Sequence, residues 1–369
     1  MTFSVPFALR RPWLITRDLL QSRAHPDLAR LRAIDDPESF VWRILPHAAR
    51  TFTASITLLP ADSARAMAVA YLYCRMLDTY EDLLPDPAER EQALAQFGAR
   101  FGRPESAAPA PAPRIARARA RDARDQTHVV LVNRCRLVDA VFGSLHPIVR
   151  RHTADLVASM AAGMIWSSRA FRDQGGVLTD AAQLSRYCRT VIGLPFLFAV
   201  RLHLLRGGDL TVSDALQQDT LQAGEMVQLA NVTRDIEKDL RRGIAYHPAL
   251  AGDLGRSADD PAVRERIRAV RGELLQRALQ LAPAYERMML ALPFGRVSLA
   301  RASGVLMLAF TDRYYRSCAE LVGRASWPGP RTAFGVIVRS AGHVVSPALS
   351  ARAVRRITAA FLNATAPAR

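Results

Sequence analysis

Apolar residues recur at helical spacing along most of this 369-residue chain, whereas the alternation expected of β-strands is nearly absent. An apolar residue at every third or fourth position gives a helix one stripe that it must bury. The sequence therefore predicts an all-α fold, a single-domain helical bundle around a central cavity. The runs with the clearest period cover residues 130–142, 147–171, 181–205, 212–240, 261–289 and 297–325.

Composition divides the chain into three predicted segments. Residues 1–30 form an N-terminal segment punctuated by arginine and proline, residues 31–325 form the helical domain, and residues 326–369 form a C-terminal helical tail. Within the helical domain, residues 102–127 are a connector rich in proline, alanine and arginine, which we place on the surface.

Two long helices are predicted before the connector, over residues 40–59 and residues 61–84. Pro60 separates them, because proline cannot continue a helix from within. Asp62 or Ser63 is the expected N-cap of the second helix, since their side chains can accept a free backbone N–H of the first turn.

The C-terminal tail is predicted to form two short helices on either side of Pro347. Two interpretations of the second helix remain open. Its arginines and apolar residues have the spacing of an amphipathic helix at a membrane surface, and the same spacing is typical of a helix that packs against its own protein. The residues are Arg352, Arg355, Arg356, Val354, Ile357 and Phe361.

The chain is strongly basic, with a formal net charge of +16, and Lys238 is its only lysine. Such a balance suits nucleic acid, an anionic membrane or anionic small molecules, although arginine-rich solvated faces alone also explain it. No zinc-finger spacing, RNA-recognition signature or basic heptad region accompanies the charge. We therefore predict no nucleic-acid partner.

The cysteines lack any C-x-x-C pair, which indicates reduced core residues and not a disulfide framework or zinc site. The N-terminus lacks the apolar core and cleavage site of a signal peptide. No uninterrupted apolar stretch reaches the roughly 18 residues of a spanning helix, and the nearest, Val191–Val200, stops at Arg201. These features predict a cytoplasmic protein, with peripheral contact at the inner membrane surface as an open alternative. The cysteines are Cys74, Cys135, Cys188 and Cys318.

Three carboxylates crowd one face of the helix predicted around residues 71–82. Asp78, Glu81 and Asp82 stand at positions i, i+3 and i+4 of that helix, and Arg75 lies one turn earlier. Like charges this close repel, and they repel more strongly when they are buried. A divalent cation would relieve the repulsion.

A second polar cluster follows on another apolar-periodic run. Asn231, Asp235 and Asp239 stand at i, i+4 and i+8. Gln228 extends this stripe backwards, and Arg234 flanks it. Oxygen ligands at helical spacing suit a hard cation such as Mg²⁺. One such cluster alone is typical of a solvated helix face. Two clusters on separate apolar helices, each with an arginine, indicate a site for a metal-bound diphosphate.

Such a site suits the ionisation of an allylic diphosphate, because the metal neutralises the leaving group and the carbocation forms in a dry apolar pocket. The run from Tyr187 to Phe198 offers apolar walls and a tyrosine. Gly193 permits a close approach of backbone or ligand, and Pro195 predicts a kink. A core tyrosine with a bonded hydroxyl is the alternative interpretation of Tyr187.

Taken in order, these motifs resemble those of the squalene/phytoene synthase family of head-to-head prenyl transferases. Residues 78–82, D-T-Y-E-D, resemble the family's first aspartate-rich motif in the form nearest the bacterial squalene synthase branch. Residues 231–239 resemble the second motif, N-x-x-R-D-x-x-x-D, and residues 187–194 resemble the Y-C-x-x-V-x-G-L box. The shorter likenesses are residues 160–164, residues 242–248, and residues 49–52, where alanine replaces the serine of S-R-x-F.

The resemblance covers about residues 40 to 320 and implies an isoprenoid-synthase-type fold with a role for each matching residue. The ligands of Mg²⁺, with Mn²⁺ as an alternative ion, would be Asp78, Asp82, Asn231, Asp235 and Asp239. The diphosphate contacts would be Arg50, Arg75 and Arg234, and the other substrate contacts would be Phe52, Gln228 and Asn231. The catalytic residues would be Tyr187 near the carbocation or in proton transfer, Tyr71 in the rearrangement, and Arg75.

The implied reaction condenses two farnesyl diphosphates to presqualene diphosphate and, with hydride from NADPH, gives squalene. Alternatives within the family are dehydrosqualene, phytoene from geranylgeranyl diphosphate, and a terpene synthase or cyclase that stops at an intermediate. A non-catalytic partner that binds prenyl diphosphates is an alternative from another class. Either a monomer or a homodimer is expected.

Three departures from the family pattern bear on the product. Pro195 and Phe196 replace small residues, which changes the expected depth of the pocket. The basic loop that eukaryotic members hold near NADPH is not evident in residues 321–331. No counterpart of their C-terminal spanning helix is predicted.

Overall fold

The computed structural model describes residues 11, 14, 26–49, 51–102, 112–115, 120, 122–208 and 211–365. Within these ranges the regular structure is helical and includes no strand, apart from an isolated parallel bridge between Val177 and Ala245. The predicted all-α fold class is therefore confirmed. The chain divides into two compact units, Met1–Ile165 and Trp166–Arg369, and the predicted boundaries at residues 30 and 325 stay predictions.

Several helices of the first unit begin at an aspartate. Asp27, Asp86 and Asp122 each accept a hydrogen bond from the backbone N–H three residues later, at 2.8 to 2.9 Å. Each cap satisfies an N–H that the helix itself cannot, so the sequence fixes these starts locally. The helices are α1 (Leu28–Ala33), α2 (Pro37–Ala49), α3 (Thr51–Leu58), α4 (Ala61–Leu83), α5 (Pro87–Ala99), α6 (Ala123–Asn133), α7 (Cys135–Gly143) and α8 (Pro147–Asp173), of which the part before Trp166 belongs to this unit.

An aromatic cluster holds α4 against α5 and α7. The Tyr73 ring on α4 meets the rings of Phe97, Phe101 and Phe142 edge-on, with centroids 5.0 to 6.0 Å apart. Edge-to-face pairs of this kind stabilise a core beyond the area they bury. The Tyr73 hydroxyl donates a 2.8 Å hydrogen bond to Asp139, so the one polar group in the cluster is satisfied.

The second unit contains the rest of α8 and eight further α-helices in its described part. A π turn, Arg189–Gly193, joins the first two of them, and 3₁₀ turns cover Pro248–Asp253 and Ala341–Val344. The helices are α9 (Ala181–Cys188), α10 (Leu194–Arg206), α11 (Asp214–Arg241), α12 (Pro261–Gln280), α13 (Ala282–Ala291), α14 (Leu299–Leu321), α15 (Ala333–Ser340) and α16 (Pro347–Thr365).

The backbone of the π turn lies very close to that of α11 where two glycines, Gly193 and Gly224, meet. A Cβ atom on Gly224 would stand 2.5 Å from the Cα of Gly193, so no side chain fits there. The close backbone approach predicted at Gly193 is therefore confirmed. Glu225, beside this contact, is buried and accepts hydrogen bonds from Ser185 at 2.6 Å and Arg189 at 2.8 Å.

Some predicted helix boundaries are wrong. The expected N-cap at Asp62 or Ser63 is not observed, because Pro60 holds an extended conformation and α4 begins at the next residue. Asp62 instead lies in the first turn, where its negative charge interacts favourably with the positive end of the helix dipole. The predicted runs 130–142 and 261–289 each contain a break between two helices.

The apolar face of α16 is buried within the protein. Val354, Ile357 and Phe361 are at most 8% exposed, and α16 packs against α12, α13 and α14. Ordinary packing is therefore the interpretation that the structure supports for these three residues, and peripheral membrane contact of the protein stays a prediction.

Among the residues that the structure describes, one helical run is long and apolar enough to cross a membrane by length and composition. It covers Ala181–Arg206, and 56% of its apolar window is buried inside the protein. No such run is predicted from the sequence, because the longest unbroken apolar stretch ends at Arg201, whereas the mean hydropathy over 18 residues tolerates that arginine. Buried core helices also meet this criterion, so the run is weak evidence for a membrane span.

Candidate active site

Four of the predicted site residues form a continuous set in the first unit. Arg75 donates a 3.0 Å hydrogen bond to the Tyr71 hydroxyl and pairs with Asp78 at 3.1 Å. Phe52 on α3 places its ring centroid 5.6 Å from that of Tyr71. The set arises because Tyr71, Arg75 and Asp78 lie on neighbouring turns of one helix face.

Asp78 is the electrostatic centre of this set. The pKa of its carboxyl is raised to about 6, chiefly by burial and also by the negative charge of Asp82, while the positive charges of Arg75 and Arg124 oppose the shift. Burial and a second carboxylate nearby both make the ionised form of Asp78 costly. A divalent cation bound between the two carboxylates would stabilise that form. The chemistry of these donors therefore fits Mg²⁺, although no three His, Cys, Asp or Glu side chains in the described residues could hold a metal by themselves.

Arg75 has more donors than its neighbours use. Its Nε atom is buried and has no hydrogen-bond partner among the described residues. Buried donors are normally satisfied, so an exception needs an explanation. An oxygen-rich anionic ligand bound at this set would provide the acceptor.

Arg124 is not among the predicted site residues, yet its positive charge is close enough to Asp78 to lower the pKa of that carboxyl. Arg124 lies on α6, at the end of the stretch assigned to the surface connector. The signal that marks this helix is Asp122, which caps it through the backbone N–H of Asp125. The low-complexity composition just before it concealed that signal.

The second polar cluster lies on α11 in the second unit, with the predicted order along one stripe. Asn231 donates a 2.9 Å hydrogen bond from its amide nitrogen to the side-chain oxygen of Gln228. The Asn231 amide oxygen therefore keeps its capacity to bind a cation. Asp239 follows at the C-terminal end of the stripe and is half-buried.

Arg234 and Asp235 form a two-bond ion pair on α11, with both N–O distances 2.6 Å. The Arg234 guanidinium also lies over the Tyr314 ring, 5.3 Å from its centroid. Both charged side chains are about a third exposed, at 36% and 32%. The pair is therefore accessible to a ligand that could bind each partner separately.

Tyr187 is buried and shares a hydrogen bond with a second tyrosine. The Tyr246 hydroxyl donates to the Tyr187 hydroxyl at 3.0 Å, and the ring centroids are 4.9 Å apart. Backbone bonds between Ala245 and residues 176 and 178, at 2.8 and 3.0 Å, hold the Tyr246 turn in place. Residues 242–248, which contain this turn, resemble a family motif, but no role is predicted for Tyr246 from the sequence.

Among the predicted site residues, Arg50 lies outside the described residues. The others fall into a set in the first unit and a set in the second: Phe52, Tyr71, Arg75, Asp78 and Asp82, and Tyr187, Gln228, Asn231, Arg234, Asp235 and Asp239. The assigned roles of these residues stay predictions.

Comparisons with known proteins agree with the motifs. The family model described as squalene/phytoene synthase matches residues 45–331. Presqualene diphosphate synthase of Rhodopseudomonas palustris is 26% identical over 289 residues, which cover 76% of this chain and 86% of that protein.

Two solved structures have a similar fold. TcSQS in complex with the ligand BPH1237 has a TM-score of 0.66 and 15% identity, with 89% of this chain and 92% of that chain covered. Squalene synthase HpnC from Alicyclobacillus acidocaldarius has a TM-score of 0.51 and 19% identity, with coverage of 82% and 98%. At these identities the likeness shows the fold alone.

Proposed function

Because this chain belongs to the squalene/phytoene synthase family of prenyl transferases, we propose that it joins two farnesyl diphosphates head to head, with Mg²⁺ or Mn²⁺, to presqualene diphosphate and then to squalene. The observation that carries the proposal is the set on α4. There a half-buried carboxyl with a pKa of about 6 lies beside an arginine whose buried Nε has no described partner. A metal-bound diphosphate would satisfy both groups.

The residues that would hold the metal are the oxygen donors of both polar clusters. When bound, the divalent cation would neutralise the negative charge of the leaving diphosphate. These donors suit Mg²⁺, which typically takes one or two protein carboxylates and fills its other positions with water and phosphate oxygens. The donors are Asp78, Asp82, Asn231, Asp235 and Asp239.

The arginines would bind the diphosphate oxygens that remain. Arg75 would donate its spare Nε–H to an oxygen, and its bond to Tyr71 would keep the guanidinium in position. Arg234 would exchange its contact with Asp235 for a diphosphate oxygen and release that carboxylate for the metal. Arginine suits this role because its planar fork matches phosphate geometry. Arg50 would contribute in the same way.

The tyrosines would act on the hydrocarbon end of the substrate. Tyr187 would place its ring and hydroxyl oxygen near the carbocation, where either can stabilise positive charge. The donated hydrogen bond from Tyr246 would leave the Tyr187 oxygen fixed in position. Tyr71, held by Arg75 and flanked by Phe52, would present an aromatic surface to the rearranging cation.

Squalene formation needs a hydride, which bound NADPH would supply. A second candidate function is release of presqualene diphosphate as the end product, without a hydride step. The curated relative from Rhodopseudomonas palustris, named presqualene diphosphate synthase, favours this candidate.

The test is incubation of the full chain with Mg²⁺ and either farnesyl or geranylgeranyl diphosphate, with and without NADPH, followed by product identification. We expect presqualene diphosphate from farnesyl diphosphate alone and squalene when NADPH is present. Presqualene diphosphate in both conditions would select the second candidate. Phytoene from geranylgeranyl diphosphate, with no product from farnesyl diphosphate, would refute both.

The double variant Asp78→Asn/Asp235→Asn separates an enzyme from a non-catalytic binding partner. We expect it to release no pyrophosphate above background. Asp155→Asn is the matched control, because Asp155 is exposed on α8 and belongs to neither set. Equal pyrophosphate release by the wild type and the double variant would refute catalysis at these residues.

A further inference from the structure

The second unit contains a cavity that the proposed reaction does not use. Its volume is about 310 Å³, and α14, α15, α16 and the loop over residues 327–330 line it. We call it the C-terminal cavity. Sites for small molecules in proteins begin at about this size, roughly 300 Å³.

Most of the wall is apolar and made of small or branched side chains. Val305, Val336 and Ile357 are buried around the cavity. Ala309 and Ala360 also line it, and their methyl groups leave the space open. Such a wall favours a compact hydrocarbon group, because burying apolar surface is its main source of binding energy.

The acidic group in the wall is already neutralised. Asp312 accepts a 2.7 Å hydrogen bond from the Trp327 indole and a 3.2 Å bond from Arg316. His343, which also lines the cavity, is buried, and burial together with Arg356 and Arg301 lowers the pKa of its imidazole. The cavity therefore offers no free negative charge to a cation.

Two arginines in the cavity lining give it an excess of positive charge. Arg339 on α15 and Arg356 on α16 are exposed, and neither forms a hydrogen bond or ion pair with any residue that the structure describes. The positive charge of Arg356 does act on the Asp312 carboxyl, because it opposes the rise in pKa that burial causes there. The hydrogen bonds of Asp312, however, come from Trp327 and Arg316. Guanidinium groups with free donors beside an apolar cavity suit a carboxylate or phosphate group, because one guanidinium can donate two parallel hydrogen bonds to two oxygens of such a group.

We propose that the C-terminal cavity binds a small amphipathic anion, with a compact hydrocarbon group among Val305, Val336 and Ile357 and a carboxylate or phosphate head on Arg339 and Arg356. This site is independent of the acidic clusters on α4 and α11. Its ligand needs no divalent metal, since the cavity already supplies the opposite charge.

Isothermal titration of the full chain, in buffer with EDTA and no Mg²⁺, tests the site directly. The probes are octanoate and geranyl monophosphate, with octanol and geraniol as neutral counterparts. We expect saturable binding of at least one anion and at least tenfold weaker binding of its alcohol. The anion that binds identifies the head group as carboxylate or phosphate. Failure of both anions, or equal affinity for the alcohols, overturns the proposal.

Variants locate the binding. Arg356→Gln should weaken the anion at least tenfold, whereas Arg352→Gln should change affinity by less than twofold. Arg352 is the matched control, because it lies on the same helix, is exposed and does not line the cavity. Ala360→Leu should fill the cavity and abolish binding while its thermal melt shows that it folds. Equal losses for the two arginine variants, or full binding by a folded Ala360→Leu protein, would contradict the assignment.

Discussion

The acidic sets on α4 and α11 carry similar residues but hold them differently. In the first, Arg75 and Asp78 are each only about a fifth exposed, and Arg75 is also bonded to Tyr71. In the second, Arg234 and Asp235 are adjacent in sequence and about a third exposed. The first set is therefore fixed by its surroundings before any ligand binds, whereas the second can exchange partners.

The largest expected effect follows from this difference in burial. Asp78→Asn should lower the rate of pyrophosphate release from farnesyl diphosphate by about 10³-fold, and Asp235→Asn by about 10²-fold, because a charge in a drier site contributes more to stabilising the leaving group. Single-turnover rates at saturating Mg²⁺ measure both effects. A greater loss in Asp235→Asn would reverse the comparison and make α11 the principal metal helix.

The second prediction compares how much each of the two ion pairs contributes to the free energy of unfolding of the protein. Arg75→Gln leaves the Asp78 carboxylate partly buried without its main partner, and we expect a loss of about 1 to 3 kcal/mol in the free energy of unfolding. Arg234→Gln breaks a more exposed pair and should cost less than about 1 kcal/mol. Urea unfolding at neutral pH measures both values.

Arg352→Gln serves as the baseline for this stability comparison, since Arg352 is exposed and has no partner among the described residues. Its free energy of unfolding should match that of the wild type. If Arg75→Gln and Arg234→Gln lower the free energy of unfolding equally, then the burial of the Arg75–Asp78 pair does not increase its contribution to stability.

A third prediction tests how the second unit positions Tyr187 beside α11. Gly224→Ala places a methyl group where the Gly193 backbone lies, so it should destabilise the protein by about 1 to 3 kcal/mol and lower product formation. Gly272→Ala on α12 is the matched control, because the nearest atom to its new methyl would be 3.9 Å away. That substitution should be neutral or stabilising, since alanine favours a helix more than glycine does.

The sequence predicted both acidic helices because their signals are local. Helical spacing places Asp78 one turn from Asp82 and Asn231 one turn from Asp235, whatever surrounds them. It could not show that Arg75 also binds Tyr71, or that Arg124 approaches Asp78, since those contacts depend on side-chain packing and on a helix that follows the low-complexity connector.

Helix breaks were missed for a related reason. Apolar spacing continues across Arg134 and Leu281, because the helices on either side of each break bury residues in the same register. Apolar periodicity indicates which residues are buried. A break between two helices that keeps the same residues buried does not change this periodicity, so the sequence pattern does not show the break. The same limit explains why packing of α16 against the protein could not be distinguished from membrane contact.

The smallest expected effect concerns the hydrogen bond between two tyrosines. Tyr246→Phe removes one neutral hydrogen bond and keeps the ring contacts with Phe171 and Tyr187. We expect product formation to fall by about 3- to 10-fold, the equivalent of about 1 kcal/mol, whereas Tyr187→Phe should lose more because its own oxygen faces the substrate in our proposal. Rates measured under single-turnover conditions distinguish the two. If Tyr246→Phe is the slower enzyme, then Tyr246 and not Tyr187 supplies the oxygen that acts on the carbocation, and the donor and acceptor roles of the pair are exchanged.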